Sequence, residues 1–199
     1  MKYDFIEIGT ADFRTLIEKA KPSDVGLSVE PIKQYLDKLP NKRNITKANY
    51  AVSEQSGHCY VFYLDKTVID KYELPWYLRG CNSINSIHPT VERWLIGKKL
   101  SLNLVTKEKV KVLSYKDLME MFDVSSVDFL KIDTEGHDCR ILKSVIECCK
   151  GNINLFPKKI TFESNTLSVE SEVTAILSEL KIYNYDIVSR GYDTTVSRG

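Results

Sequence analysis

Short apolar runs alternate with amphipathic helical patterns along the 199 residues of this chain. Residues 3–8, 25–29, 127–132 and 159–162 have the length and composition of buried strands, and apolar residues at helical spacing follow them. Strands separated by helices pair in parallel, because each connection must cross back over the sheet. The alternation therefore predicts an α/β fold with a mostly parallel sheet and helices on both faces.

The first half of the chain contains several local signals of secondary structure. Phe13, Leu16, Ile17 and Ala20 predict a helix after the first strand, and Pro31 suits the first position of a second helix. Residues 45–52 predict one continuous third strand. A turn at Gly57 and a strand over residues 59–64 are predicted to follow it.

The second half begins with a region of weak patterning. Residues 65–98 predict loops and short pieces, and residues 110–112 predict a short strand. Ser114, with Asp117 three residues later, predicts a helix start close to a capping box. Residues 185–189 and 194–197 predict a terminal antiparallel hairpin.

Composition excludes several classes of protein. The net charge of +1 gives no electrostatic reason to expect a nucleic-acid partner, and no apolar run approaches the roughly 18 residues of a membrane span. The five cysteines form no C-x-x-C motif, which favours a reducing compartment, the cytoplasm (host or cell cytosol). We expect one domain over residues 1–199. Because the first strand begins at Tyr3, we expect either a piece of a longer protein or a minimal version of its fold.

Polar residues follow most of the predicted strands. In an open α/β sheet these strand ends meet at the ligand crevice, where the strand order reverses. Four of the five strand ends carry an acid, so we expect a cluster of acids in that crevice. The strand ends are Gly9 to Asp12, Glu30, Asn49 to Ser53, Asp133 to His137, and Glu163 to Asn165.

The first strand end indicates an adenosyl ligand without a diphosphate. The chain has neither G-x-G-x-x-G nor G-x-x-x-x-G-K-[ST], so a phosphate-binding loop is poorly supported. Gly9 permits a tight turn, and Glu30 follows about 20 residues later at the place where an acid binds ribose hydroxyls. S-adenosylmethionine fits both observations.

Residues 128–137, which read DFLKIDTEGH, resemble the signature of the FkbM family of methyltransferases. That family typically shows a strand reading D-x-[IL]-K-[IL]-D-x-E-G-x-E, and Asp138 stands here for its last Glu. FIEIG at residues 5–9, VEP at residues 29–31, and AVS at residues 51–53 with Gly57 resemble its other motifs in the same order. The likeness covers residues 3–165. One departure is Phe13, which stands where the family usually has a further glycine.

The resemblance implies a class I Rossmann-like methyltransferase that uses S-adenosylmethionine, and family members often methylate a hydroxyl of a sugar or glycan. By this likeness the acids after the fourth strand would face the substrate, with Asp133, Glu135 and His137 as the catalytic candidates. Asp12 would contact the ammonium group of the cofactor, in place of the altered first motif. The implied cofactor-binding set is Glu7, Gly9, Asp12, Glu30, Asn49 and Ala51.

A sugar hydroxyl needs activation before it can accept a methyl group, and two routes are open. In one route His137 or Asp133 is the general base. In the other, Asp133, Glu163 and Asn165 hold Mg or Mn, for which such hard oxygen ligands are suited, and the ion lowers the pKa of the hydroxyl.

Several of these residues also have a purely structural interpretation. Glu135 can cap the helix that follows it, and Lys131 can pair with a neighbouring carboxylate. Trp76 and Tyr77 predict either an aromatic wall for a ligand or part of the core.

The rival functions are a non-catalytic Rossmann-like binding module, a methyltransferase with a lipid, RNA or other small-molecule acceptor, and a nicotinamide-dependent dehydrogenase. The missing glycine fingerprint disfavours the last of these.

Overall fold

The computed structural model describes residues 1–84 and 86–199. These residues form two compact units, one of residues 1–57 and 111–199 and the other of residues 58–110. The single domain over residues 1–199 stays a prediction. The strands are β1 (Lys2–Ile8), β2 (Gly26–Val29), β3 (Ile45–Ala48), β4 (Ala51–Ser53), β5 (Gly57–Tyr63), β6 (Ser83–Ile84), β7 (Thr106–Ser114), β8 (Ser126–Ile132), β9 (Lys159–Glu163), β10 (Tyr185–Arg190) and β11 (Asp193–Arg198). The α-helices are α1 (Leu16–Lys19), α2 (Lys33–Lys38), α3 (Lys66–Lys71), α4 (Pro89–Gly97), α5 (Tyr115–Met121), α6 (Asp138–Gly151) and α7 (Glu170–Ile182).

Seven strands of the first unit form a sheet in the order β10-β11-β9-β8-β1-β2-β3. The strands from β9 to β3 are parallel, whereas β11 is antiparallel to both β9 and β10. The predicted mostly parallel sheet and the terminal antiparallel hairpin are confirmed. The strand order reverses between β1 and β8, so the ligand crevice of such a sheet lies beyond the carboxyl ends of these two strands.

The core of the first unit lies against the sheet in two clusters. Alternate residues of a strand face opposite sides of a sheet, so Phe5 and Ile6 of β1 belong to different clusters. Ile17 of α1 and Leu36 of α2 pack on the same side of the sheet as Phe5. The larger cluster contains apolar residues of β1, β2, β8, β9, α5, α6 and α7, among them Ile6, Ile8, Leu27, Val29, Leu118, Leu130, Ile141, Leu142, Val145, Phe162, Val173 and Leu180.

The ends of the first two helices differ from the prediction. Helix α1 begins at Leu16 rather than near Phe13, because Ala11 and Arg14 adopt left-handed φ angles of 47° and 56° that no helix contains. Thr15 caps α1 through a capping box with Glu18, whereas α2 begins at Lys33, two residues after Pro31. The predicted cap of α5 is confirmed, since Ser114 Oγ accepts a hydrogen bond from the N–H of Asp117.

The predicted third strand over residues 45–52 is two strands, β3 and β4. Asn49 lies at the break and donates its side-chain amide to the carbonyls of Glu30 and Pro31. Strand β3 pairs with β2, whereas β4 pairs in parallel with residues 112–114 of β7. A side chain that bonds to neighbouring backbone interrupts a strand in this way. Gly57 is the first residue of β5 rather than part of a turn.

The second unit has its own apolar core, built around Leu64, Leu78 and Leu95. Residues 65–98, predicted as loops and short pieces, contain helices α3 and α4 as well as a 3-10 helix over Trp76–Arg79. His88 caps α4 by accepting a hydrogen bond from the N–H of Thr90, and Pro89 occupies the first turn. The predicted strand over residues 110–112 is part of the longer strand β7. None of the helices in residues 1–84 and 86–199 is both long and apolar enough to cross a membrane. The cytoplasmic location stays a prediction.

Gly9 is required where β1 ends beside β8. Its φ of +80° is left-handed, and a Cβ at this position would lie 2.0 Å from the backbone oxygen of Asp133. We therefore expect Gly9→Ala to destabilise the protein by at least about 3 kcal/mol, because backbone strain and overlap with a backbone atom add together. Urea unfolding would measure the free energy of unfolding.

Gly151→Ala is the matched control, because an added Cβ there meets nothing within 4 Å and Gly151 is the last residue of α6. It should leave stability unchanged or raise it by up to about 1 kcal/mol. Similar stabilities for the two variants would show that the close approach of Gly9 to Asp133 is not a constraint on the fold.

Candidate active site

A buried ion pair joins β1 and β8 next to the crevice. Lys131 Nζ lies 3.0 Å from Glu7 Oε1 and 3.3 Å from Asp133 Oδ2, and Glu7 is fully buried. Burial opposes the charge of Lys131, but the carboxylates of Glu7 and Asp133 outweigh it and raise the pKa of this lysine. Glu7 Oε2 also accepts the N–H of Leu16 at 2.7 Å. Both oxygens of this predicted cofactor ligand thus have partners within the protein.

Glu30 ties together the loops that follow β1 and β2. Its carboxylate accepts the N–H of Ala11 at 2.8 Å and that of Ile32 at 2.9 Å, and the N–H of Thr10 also donates to it. Only 3% of Glu30 is exposed, and this burial raises its pKa to about 7. Three of about four acceptor positions of the carboxylate are therefore occupied by backbone donors.

The other predicted cofactor residues lie around these two loops. The carboxylate of Asp12 is largely buried and pairs with Lys38 Nζ at 3.1 Å. Asn49 is exposed, and its amide donates to the carbonyl of Glu30 at 2.9 Å. Ala51 is buried in β4. The structure thus brings Asn49 to the backbone of Glu30.

Three acids meet beyond the ends of β8 and β9. Carboxylate oxygens of Asp133, Glu135 and Glu163 lie within 4.8 Å of one another. The backbone of Glu135 has a left-handed φ of 53°, and the next residue, Gly136, has a φ of 92°. Hereafter these three residues are called the carboxylate triad. A group of this kind suits a hard divalent cation.

The carboxyl group of Glu163 has a raised pKa. Burial, reinforced by the negative charges of Glu135, Asp138 and Asp133, raises its pKa to about 9. Its Oε1 accepts a hydrogen bond from Asn165 Nδ2 at 2.5 Å, whereas its buried Oε2 has no hydrogen-bond partner among the described residues. A carboxyl with this pKa holds its proton more strongly than an exposed glutamate does.

Asn165 lies beside the triad and supports it. Its Nδ2 donates to Glu163, and its Oδ1 accepts the N–H of Leu167 at 2.8 Å. The predicted metal set of Asp133, Glu163 and Asn165 stays a prediction, and the structure adds Glu135 to the acids that lie beside Asp133 and Glu163.

His137 lies at the start of α6 and is largely buried. Its Nε2 is 2.9 Å from Ser53 Oγ, a hydrogen bond in which the tautomer decides the donor. Burial, together with the charge of Arg140, lowers the pKa of His137 to about 4. The ring is therefore neutral at pH 7, and a group with so low a pKa is a weak general base.

Residues 7–187 match the family described as the methyltransferase FkbM domain. The chain belongs to the FkbM methyltransferase family. No protein among those with curated functions matches the chain. The family match covers the ion pair of Glu7 and Lys131, Glu30 and the whole carboxylate triad, so the predicted FkbM membership is confirmed.

The site of this FkbM domain contains a residue that sequence reasoning missed. Asp138 is fully buried and accepts hydrogen bonds from Thr134 Oγ, from the N–H of Thr134 and from the N–H of Glu163. Burial raises its pKa to about 6. The available signal was its acidic side chain at the last position of the FkbM signature, which is also the start of a helix.

Trp76 and Tyr77 of the second unit are exposed rather than part of the core. Their side chains are 56% and 43% exposed, and the rings meet edge to face. The indole N–H of Trp94 donates to the hydroxyl of Tyr77 at 3.0 Å. Of the two interpretations of this aromatic pair, core packing is therefore wrong.

The raised pKa of Glu163 predicts a stabilising substitution in this FkbM domain. Between pH 4.5 and 9 the unfolded chain has released this proton and the folded chain retains it, so stability is lost as pH rises through that range. Because glutamine stays neutral, Glu163→Gln should raise the free energy of unfolding by about 1–2 kcal/mol at pH 7, allowing for partial exposure of the side chain, and by little at pH 4. Urea unfolding at both pH values would measure this.

Glu120→Gln is the control, since Glu120 is exposed and lies 3.8 Å from Lys116. It should change stability by less than about 0.5 kcal/mol. A loss of stability for Glu163→Gln at pH 7 would show that Glu163 is ionised in the folded protein.

Proposed function

We propose that this protein is an S-adenosylmethionine-dependent O-methyltransferase that acts on a hydroxyl of a sugar or glycan. The observation that carries the proposal is the family match over residues 7–187. The sheet supports it, since an order of β3-β2-β1-β8-β9-β11-β10 with one antiparallel strand agrees with a class I Rossmann-like methyltransferase fold.

The cofactor in this proposal lies beyond β1 and β2. Glu30 stands at the end of β2, where an acid binds ribose hydroxyls. With three backbone donors already on its carboxylate, Glu30 has room for about one hydroxyl. Binding of both ribose hydroxyls would release a backbone donor of the loop after β1, and the left-handed Ala11 is one of these donors. Cofactor binding and the conformation of that loop are therefore coupled.

The loop after β1 also offers a negative charge to the cofactor. Asp12 is largely buried near Lys38, and a carboxylate there suits the ammonium group of S-adenosylmethionine. Gly9 keeps the loop close to the end of β8, because a side chain at this position would overlap the backbone of Asp133. Glu7 stabilises this region from within β1, because its carboxylate pairs with Lys131 and accepts the N–H of Leu16.

S-adenosylmethionine supplies an electrophilic methyl group when it is bound. The residues of the chain must place the acceptor hydroxyl in line with that group and handle its proton, and positioning provides much of the rate acceleration. Asp133 is half exposed at the end of β8 and is a candidate base. His137 is less suited to that role, because its pKa is about 4 and Ser53 occupies its Nε2.

The carboxylate triad offers a second way to activate the hydroxyl. Its three acids would hold Mg or Mn, and such an ion lowers the pKa of a coordinated hydroxyl. The buried Glu163 Oε2, which has no hydrogen-bond partner among the described residues, would be one of the ligands of such an ion. Asn165 would orient Glu163 through its hydrogen bond.

The proposal predicts that Glu30→Ala weakens binding of S-adenosylmethionine at least tenfold, because it removes both the ribose acceptor and the anchor of the loop after β1. Titration calorimetry with the full chain would measure the affinity. Absence of binding to the wild type at millimolar cofactor would refute the enzyme and favour a non-catalytic binding module.

Asp4→Ala is the matched control for this measurement. Asp4 Oδ2 accepts the N–H of Val25 at 2.8 Å, so it is also a carboxylate that anchors backbone, but at the amino ends of the same two strands. It should lower stability without changing the cofactor affinity. Equal affinities for Glu30→Ala and wild type would remove Glu30 from the cofactor site.

The metal route predicts that turnover stops in excess chelator and returns with Mg or Mn. Labelled S-adenosylmethionine and a panel of sugars and oligosaccharides would provide the assay, with RNA and lipid acceptors as comparison substrates. Full turnover in chelator would eliminate the metal and leave Asp133 or His137 as the base. Methylation of only RNA or lipid would overturn the proposed acceptor.

A further inference from the structure

The paired backbone of β8 and β9 ends just before the carboxylate triad. The last register pair is Ile132 with Phe162. Asp133 and Glu163, the next residues of the two strands, are members of the triad. Asp133 is bonded to Ile8 of β1 and Glu163 is paired with Asp193 of β11, so no direct pairing of β8 with β9 joins the two acids.

One side chain supplies contacts to both strand ends. Asp138 Oδ1 accepts the N–H of Glu163 at 3.0 Å. Its other oxygen accepts Thr134 Oγ at 2.7 Å and the N–H of Thr134 at 3.2 Å. Thr134 lies between Asp133 and Glu135, so the two oxygens of one carboxylate hold the residue between these two acids and the backbone of the third, Glu163.

Full burial makes this arrangement rigid. Asp138 is not exposed to solvent, and the larger core cluster includes its neighbour Cys139. A buried donor left without an acceptor is costly, and Asp138 accepts three donors from these loops. The loops after β8 and β9 therefore separate only at a high energetic cost.

We propose that Asp138 is a positioning residue that sets the spacing of Asp133, Glu135 and Glu163. It acts through the backbone of Thr134 and Glu163 and does not itself touch a ligand. Its use in methyl transfer rests on the proposed function, whereas its control of the triad does not.

A simpler role for Asp138 is that of an acid in the first turn of α6, where the helix dipole favours it. That role predicts only a change in stability. Glu172 is the matched control, because it is a first-turn acid of α7 that lies on the surface 3.9 Å from Lys143. Glu172→Gln removes the same charge without a contact to either loop.

The decisive variant is Asp138→Asn. Asparagine has one carbonyl oxygen in place of two carboxylate oxygens, so it can accept the N–H of Thr134 or the N–H of Glu163 but not both. Crystal structures of the wild type and the variant should show the carboxylates of Asp133 and Glu163 about 1 Å or more further apart, a displacement large enough to disable a site. In amide NMR spectra the signal of Thr134 or Glu163 should move upfield and exchange faster, whereas Glu172→Gln should change neither.

Thr134→Val is the second variant and is informative if Asp138→Asn does not fold. It removes the hydroxyl donor but keeps the N–H of Thr134, so it should shift the amide signals of residues 133–135 and leave that of Glu163 close to wild type. Unchanged triad spacing in Asp138→Asn, or unchanged amide signals in Thr134→Val, would overturn the proposal.

A separate readout is the binding of Mn²⁺ to the full chain, which the electron paramagnetic resonance signal of the free ion measures. Asp138→Asn should weaken Mn²⁺ binding roughly 10- to 100-fold, as expected when a residue that orients metal ligands is lost. The affinity for S-adenosylmethionine should not change, because Glu30 and its loop are untouched. A wild type that binds no Mn²⁺ would refute the metal route alone, and the crystallographic comparison would still decide the role of Asp138.

Discussion

The close approach of β1 and β8 is the constraint on which the remaining structure depends. Gly9 lies so near the backbone oxygen of Asp133 that a side chain is excluded, and the N–H of Asp133 donates to the carbonyl of Ile8. Beneath this contact the ion pair of Glu7 and Lys131 joins the same two strands. Because the strand order reverses between them, the crevice lies at the carboxyl ends of this pair of strands.

Carboxylates hold the loops around the crevice in place. Glu30 binds the loops after β1 and β2, and Asp138 binds those after β8 and β9. In both cases one buried side chain accepts backbone N–H groups that no strand or helix satisfies, which is a stable arrangement because buried donors need acceptors. The protein thus concentrates acids at its crevice, and burial together with the neighbouring acids raises the pKa of Glu163.

Such a concentration of acids lowers the free energy of unfolding. It is also typical of functional sites. The pKa of Glu163 is raised above that of an exposed glutamate. At neutral pH this difference lowers the free energy of unfolding of the folded chain. Perturbed groups of this kind cluster at functional sites more often than elsewhere. In a member of the FkbM methyltransferase family, we propose that the triad is the part of the molecule that activates the acceptor.

The sequence by itself determined the α/β pattern, the parallel strands, the terminal hairpin and the family, because apolar periodicity and the run DFLKIDTEGH are local properties. It also placed acids at the strand ends. It did not predict that left-handed residues shorten α1, that Asn49 divides the third strand, or that Glu135 joins Asp133 and Glu163. Only the tertiary structure decided these points and the role of Asp138, since its partners Thr134 and Glu163 meet through the pairing of β8 with β9.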